Sequence, residues 1–413
     1  MTAQERQGWV IVVALFFVLL LVFGGGYNTV PVFLPALLRA FPDWTHKQVS
    51  ILPSVLAASA GLSVLPVGWL IDRIEARIVM VIGGLAVGAG FLLASQAGGL
   101  PTMIAAYVLV GVGIAAGTVL PASLVVANWF TARRGLAMGI ANAGSTTGGM
   151  VMTLVAGYAI RGWGWRAAYM TIGIPMIVVA VPLVILVVRS RPAGAIMQSR
   201  AEAAQSLAGF DVGPALRTRS FWMIVIANFC FAFSATGTAI HMVAHLEDVG
   251  YNAANAALLM SLIFGLAAIG KVLFGLLADS RSARLALGLN FAMHAVGVTL
   301  VFTLTHAAMT PIFVAVYGLS VAAPLMLLPL LLAESLGLRR FGLLGGLAGL
   351  AQTSGGTIGP LVSGAIFDSM KSYSAAFELF IAVNLIGAMA ALGCRAYAAQ
   401  LSASDGLPDS ASA

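Results

Sequence analysis

Charge is what this chain has least of. Asp, Glu, Lys and Arg make up only 8% of its 413 residues, against 60% hydrophobic, a balance that soluble globular domains do not show. All fourteen Asp and Glu stand in predicted connections or at the ends of predicted helices, so no carboxylate is offered in mid-span as a proton carrier. The two cysteines, Cys230 and Cys394, sit far apart in apolar runs and form neither a disulfide framework nor a metal-ligand spacing. No metal and no cofactor is expected. The string Gly111-x-Gly113-x-x-Ala116 imitates part of a dinucleotide fingerprint, but it lies inside an apolar run with no strand before it. The apolar runs also lack paired carboxylates and a Ser-x-x-Lys constellation, which argues against a membrane-embedded enzyme. The net charge of +7 is no nucleic-acid footprint, because the basic residues are dealt out between the apolar runs.

What the chain does have is apolar length. Twelve runs read as helices: 9–38, 48–71, 78–97, 101–127, 135–160, 166–188, 220–246, 253–278, 284–304, 310–333, 341–367 and 374–398. Each is long enough to cross a bilayer, and a membrane-spanning helix satisfies its backbone internally. The expected fold is an all-α polytopic membrane protein. The first run lacks a small-residue cleavage site and is expected to stay as a helix. With the N-terminus inside, fifteen basic residues fall in cytoplasmic connections and five outside. That bias places both termini in the cytoplasm. The expected domains are a six-helix bundle at 1–188, a cytoplasmic loop at 189–219, a second bundle at 220–398 and a disordered tail at 399–413. The loop is expected to carry a short amphipathic or surface helix. Lipid surrounds the protein and a monomer is the expected functional unit.

The two halves repeat. Gly68-Trp-Leu-Ile-Asp72-Arg73-Ile-Glu-Ala-Arg77 follows the second run, and Gly275-Leu-Leu-Ala-Asp279-Ser-Arg-Ser-Ala-Arg284 follows the eighth, 207 residues on (279 minus 72). Arg133-Arg134 before the fifth run answers Arg339-Arg340 before the eleventh, and Trp165/Tyr169 answers Tyr373/Phe377. Such a repeat implies two bundles related by a pseudo-twofold axis along the membrane normal, with a site between them near mid-depth. Here the chain resembles the major facilitator superfamily: Gly68-x-x-x-Asp72-Arg73 is similar to its signature loop and Gly164-Trp165-Arg166 to a second mark. The stretch from Asn128 to Gly149, N-W-F-T-A-R-R-G-L-A-M-G-I-A-N-A-G-S-T-T-G-G, resembles the fifth-helix motif of the monocarboxylate transporter family, also shared with oxalate/formate exchangers, and Gly8-Trp9 resembles the end of that family's first motif. The resemblance, with short tails and loops, implies a bacterial lactate or pyruvate carrier in the cytoplasmic (inner) membrane. Asp72, Arg73, Arg77, Asp279, Arg284, Arg133 and Arg134 are expected to gate the cytoplasmic side; the plain alternative is a set of topology determinants.

Lys271 is the exception to the charge pattern. It is the single basic residue within a predicted span, where a charge costs at least roughly 2.5–3.5 kcal/mol. The functional reading is a site for an anion; the bland one is a lysine reaching its stem towards the nearer interface. Polar residues of similar depth complete a candidate substrate site: Tyr27 and Asn28 after the Gly24–Gly26 run, Asn142 and Ser145 in the fifth span, Tyr317 in the tenth, and Gln352 in the eleventh. Each has a structural alternative. Asn28 can cap a broken helix, Ser145 can bond its own backbone, and Tyr317 can be an interface aromatic. Aligned on the end of the eighth helix, the resemblance sets Lys271 on a family arginine, Ala267 on its aspartate and Asn28 on its first-helix lysine. Lysine there loses the guanidinium fork. His241, in the outer third of the seventh span, is a second candidate for proton coupling, with a surface histidine as its alternative.

These residues predict a secondary active transporter that moves a small monocarboxylate such as L-lactate or pyruvate with a proton, by alternating access. An unpaired ammonium in an apolar cavity is costly and an adjacent anion offsets that cost, so proton and anion bind together. The competing expectation is carboxylate exchange of the oxalate/formate type without protons. One cation suits a monoanion better than a dianion.

Overall fold

The computed structural model describes residues 3–191, 208–251, 253–304, 306–370 and 372–397. The expected tail at 399–413, most of the linker and the side chain of His241 lie outside the described residues. The described chain is helical, in the order α1 (Ala3–Leu19), α2 (Val30–Ala40), α3 (His46–Arg73), α4 (Ala76–Ser95), α5 (Leu100–Gly117), α6 (Val119–Trp129), α7 (Arg134–Pro175), α8 (Val181–Leu186), α9 (Val212–Arg217), α10 (Arg219–Asp248), α11 (Ala253–Ser280), α12 (Ala283–Leu300), α13 (Thr310–Val321), α14 (Pro324–Leu336), α15 (Phe341–Met370) and α16 (Ser374–Leu392).

Among the described residues, ten segments are long and apolar enough to cross a membrane. One of them, Arg134–Leu186, makes two passages. At 1.5 Å per residue α7 alone would run about 63 Å, twice a hydrocarbon core. Gly164 turns it at φ 82°, a left-handed value that favours glycine. No loop separates the fifth and sixth passages. The remaining passage is α15, diluted by glycines and by Gln352-Thr353-Ser354. Twelve passages result.

Three passages are broken where the sequence weakens the helix. The first passes from α1 through a π-helical turn at Leu20–Gly25 before α2 begins; Gly24, Gly25 and Gly26 lie at that break, and Thr29 Oγ1 donates to Gly25 O at 2.5 Å. The fourth breaks at Thr118, whose hydroxyl donates to Ile114 O. The tenth breaks at Ala322–Ala323, just before Pro324 starts α14. A proline at a first turn loses no helical hydrogen bond.

Passages one to six and seven to twelve form the two halves, and apolar packing runs through both. They meet along two seams, α3 against α15 and α7 against α11. Glycine sets the closeness of each. A side-chain carbon on Gly68 would collide with the Gly342 carbonyl, and one on Gly275 with that of Gly135. Both residues of the second pair lie 207 from their counterparts in the first. Further along α7, Gly144 and Gly148 admit the first passage at Phe16 and Leu20; along α15, Gly355 and Gly359 admit α10 at Phe229 and Phe233. Each of these helices therefore uses one glycine pair for the opposite half and the next for its own. Small residues permit such approach in membranes.

The linker is pinned where it is described. Phe210 N donates to Leu336 O and Leu338 N to Ala208 O, each at 3.0 Å. Asp211 pairs with Arg339 at 3.2 Å and Arg340 at 3.3 Å. The expected short helix is α9.

Candidate functional site between the two halves

At the arginine-rich end, two carboxylates close the seams. Asp72, on the last turn of α3, accepts from Gly342 N at 2.8 Å and Leu343 N at 2.9 Å. Asp279, on the last turn of α11, accepts from Gly135 N at 2.6 Å and Leu136 N at 2.7 Å. Each aspartate thus caps the first turn of a helix in the opposite half, where unpaired amides and the helix dipole favour an anion. The carboxylates reach backbone, not an arginine fork.

The expected arginines take other places. Arg73 stacks on Trp69 at 3.9 Å from the ring centroid. Arg77 bonds the Ile185 carbonyl, tying third and sixth passages within one half. Arg134 donates to Phe130 O at 2.8 Å and Ala127 O at 3.0 Å, capping the open carbonyls of α6. Arg133 is the exposed residue before α7, at φ 56°, and Arg284 stands in the first turn of α12.

Lys271 lies midway along the α7–α11 seam and is wholly buried, with 0% exposure. Its Nζ donates to Asn142 O at 3.0 Å and to Ser145 Oγ at 2.7 Å. Both acceptors belong to the opposite half. Ser145 O in turn accepts from Asn28 Nδ2 at 3.3 Å. Four of the expected residues therefore form one polar cluster across three passages. Among the described residues no carboxylate pairs with Lys271, and the third proton of an ammonium has no partner. Asn142 Oδ1 is also buried without a partner. The interface-reaching alternative for Lys271 does not hold here, because its amine points into the other half.

A cavity of about 380 Å³ opens between the halves beside these seams. Tyr27 and Gln352 line it; Lys271, Asn28, Asn142 and Ser145 do not. The repeat explains the difference. Subtracting 207 from Lys271 gives Val64, and adding 207 to Asn142 and Ser145 gives Gly349 and Gln352. Val64, Gly349 and Gln352 line the cavity, so the second copy of the cluster position is open where the first is filled by lysine. The two aspartate caps lie at one end of the seams and join the halves there.

Residues 15–360 match the Major Facilitator Superfamily. The chain belongs to that superfamily. It is 26% identical to monocarboxylate transporter 13 of Rattus norvegicus over 392 residues, covering 92% of this chain and 87% of the relative. An uncharacterized MFS-type transporter, YcxA of Bacillus subtilis (strain 168), is 24% identical over 304 residues, 70% of each chain. The oxalate:formate antiporter of Oxalobacter formigenes is 27% identical over 184 residues, 44% of this chain and 43% of its own. The solved proton:xylose symporter XylE superposes with a TM-score of 0.70 at 13% identity, covering 94% and 95% of the two chains. That likeness shows the shared fold.

Elsewhere in the transporter, Tyr317 stands apart from the expected set. It is buried between α12 and α13, 5.0 Å from the His294 ring, and does not line the cavity. Its ring turns toward α12 and away from the cavity, and the mostly apolar sequence of α13 gives no sign of which side would face open space. His241 lies on α10. Thr353, next to Gln352 on α15, lines the cavity as well, and so do residues that the sequence reading missed: Asn228 and Thr236 on α10, Thr118 at the α5–α6 break, and Thr357 on α15. A signal for Asn228 was present, as one amide within the apolar run from Phe221 to Phe233.

Proposed function

We propose that this transporter carries a monocarboxylate together with a proton, by alternating exposure of the space between its halves, with L-lactate and pyruvate as the simplest cargoes. One observation carries the reading: a buried lysine whose only partners among the described residues are a carbonyl and a hydroxyl of the opposite half. Parting of the α7–α11 seam breaks both bonds. The ammonium then needs an anion, and a carboxylate supplies one. Because charge on Lys271 and an adjacent anion offset each other's cost, the proton and the cargo load together. The relatives named as monocarboxylate transporters support the cargo class.

In this reading the halves, 1–188 and 220–398, rock about the linker at 189–219, with the arginine-rich end in the cytoplasm of a bacterial cell. Asp72 and Asp279 latch that end shut, while Arg134, Arg133, Arg73, Arg77 and Arg284 hold the surrounding helix ends. A monomer suffices, because the site lies within one chain.

The test is pH-driven uptake into proteoliposomes. Lys271→Gln should abolish it while the protein stays folded and monodisperse. Wild-type uptake by that variant ends the proposal. Counterflow at equal pH, undiminished when the proton gradient is collapsed, would favour carboxylate exchange, the activity carried in the name of the oxalate:formate antiporter.

A further inference from the structure

The cavity is larger and drier than a three-carbon acid needs. A water takes about 30 Å³ of liquid and a three-carbon carboxylate roughly three times that. The cavity holds about 380 Å³, which is in the range that accommodates much larger organic ligands. Its walls are Phe23, Ile114, Ile224, Phe231, Leu325 and Leu328, over a floor of alanine and glycine from α3 and α15. No charged side chain lines it among the described residues.

Its polar groups are few and their protons are mostly spent. Thr118, Thr236, Thr353 and Thr357 each donate to a carbonyl of their own helix, so they present methyls and acceptor lone pairs. Asn228 gives one N–H to Ile224 O and keeps the other. The Tyr27 hydroxyl and the Gln352 amide have no protein partner among the described residues. Three side chains therefore remain as donors, enough for one carboxylate, and most of the remaining surface is apolar. A lactate bound there would leave the rest as water against hydrocarbon.

We infer that the favoured cargo is a monocarboxylate with a bulky apolar body, aryl or branched alkyl, of about ten to fifteen non-hydrogen atoms, its carboxylate met by Tyr27, Asn228 and Gln352 before Lys271 is freed. This inference rests on the transport reading above and specifies its substrate class. Each methylene that the cavity buries is worth about fourfold in affinity.

The experiment is a competition series in proteoliposomes with a pH gradient: acetate, lactate, 4-methylvalerate, phenylacetate and phenyllactate. Ligand-induced thermal stabilisation of the purified wild-type protein provides a second readout that needs no variant. Apparent affinity is expected to rise along the series, with phenyllactate at least tenfold tighter than lactate. Ala60→Leu and Ala235→Leu, which fill the cavity from opposite halves, should bring the ratio of phenyllactate to lactate affinity down toward one. A carrier that prefers lactate to phenyllactate in both readouts overturns the inference and leaves monocarboxylate transport standing. Silence toward every acid in the series overturns both.

Discussion

The two aspartate caps make a quantitative prediction about the closed end. Asp72 accepts two amide bonds at 2.8 and 2.9 Å from the first turn of α15. Hydrogen bonds to a charged group contribute about 1.5–3 kcal/mol each, and an anion at a helix N-terminus adds about 0.3–1 kcal/mol. In Asp72→Asn one oxygen survives as an acceptor, and the NH₂ that replaces the other faces an amide N–H. The loss is one charged bond and the dipole contribution. With Asp72 half-buried, we expect about 2 kcal/mol, or roughly 30-fold in the balance between closed and open. Ile71 reports that balance: it is 4% exposed in the closed seam and touches the Gly342 side of the contact. In an Ile71→Cys background, Asp72→Asn should raise the thiol labelling rate by about that factor. Asp279 is exposed and better screened, so Asp279→Asn should raise it less, and the double variant should exceed either single one. A labelling rate unchanged by Asp72→Asn, in protein that stays folded, would refute the view that the caps hold the seams shut.

Other variants probe the packing around this site. Gly144 has no room for a side chain against Phe16 O, whereas Gly162 has nothing within 4 Å; Gly144→Ala should destabilise the protein by about 1–3 kcal/mol and Gly162→Ala far less, as read by detergent thermal melts. Asp211→Asn removes two ion pairs whose partners are all more than a third exposed, so its effect on stability should stay within about 1 kcal/mol and shrink further in high salt.

Much of the architecture was legible before any coordinates. Apolar runs must become helices where lipid offers the backbone no partner, and the passages follow them to within a few residues. The 207-residue repeat marked two equivalent halves, and the glycines at the seams then let those halves approach closely, as small residues do in a membrane. The cost of an unpaired charge singled out Lys271 from composition alone. What that reasoning reached was depth along the membrane normal. Lys271, Asn142, Ser145 and Asn28, expected at one depth, do meet; Tyr317, expected with them, faces His294.

The sequence alone therefore determined which segments span, how the halves repeat, and where an expensive charge sits. Tertiary structure decided which way each polar residue faces. A helix that is apolar all round carries no moment that says which side meets a cavity, so azimuth follows from the neighbours it packs against. For that reason Val64 and Gln352 line open space while Lys271, at the repeat-related position, is folded into the opposite seam. Asp72 and Asp279, recognisable as a repeated mark, acquired partners only when the two halves came together: the amides they cap stand 270–271 and 143–144 residues away.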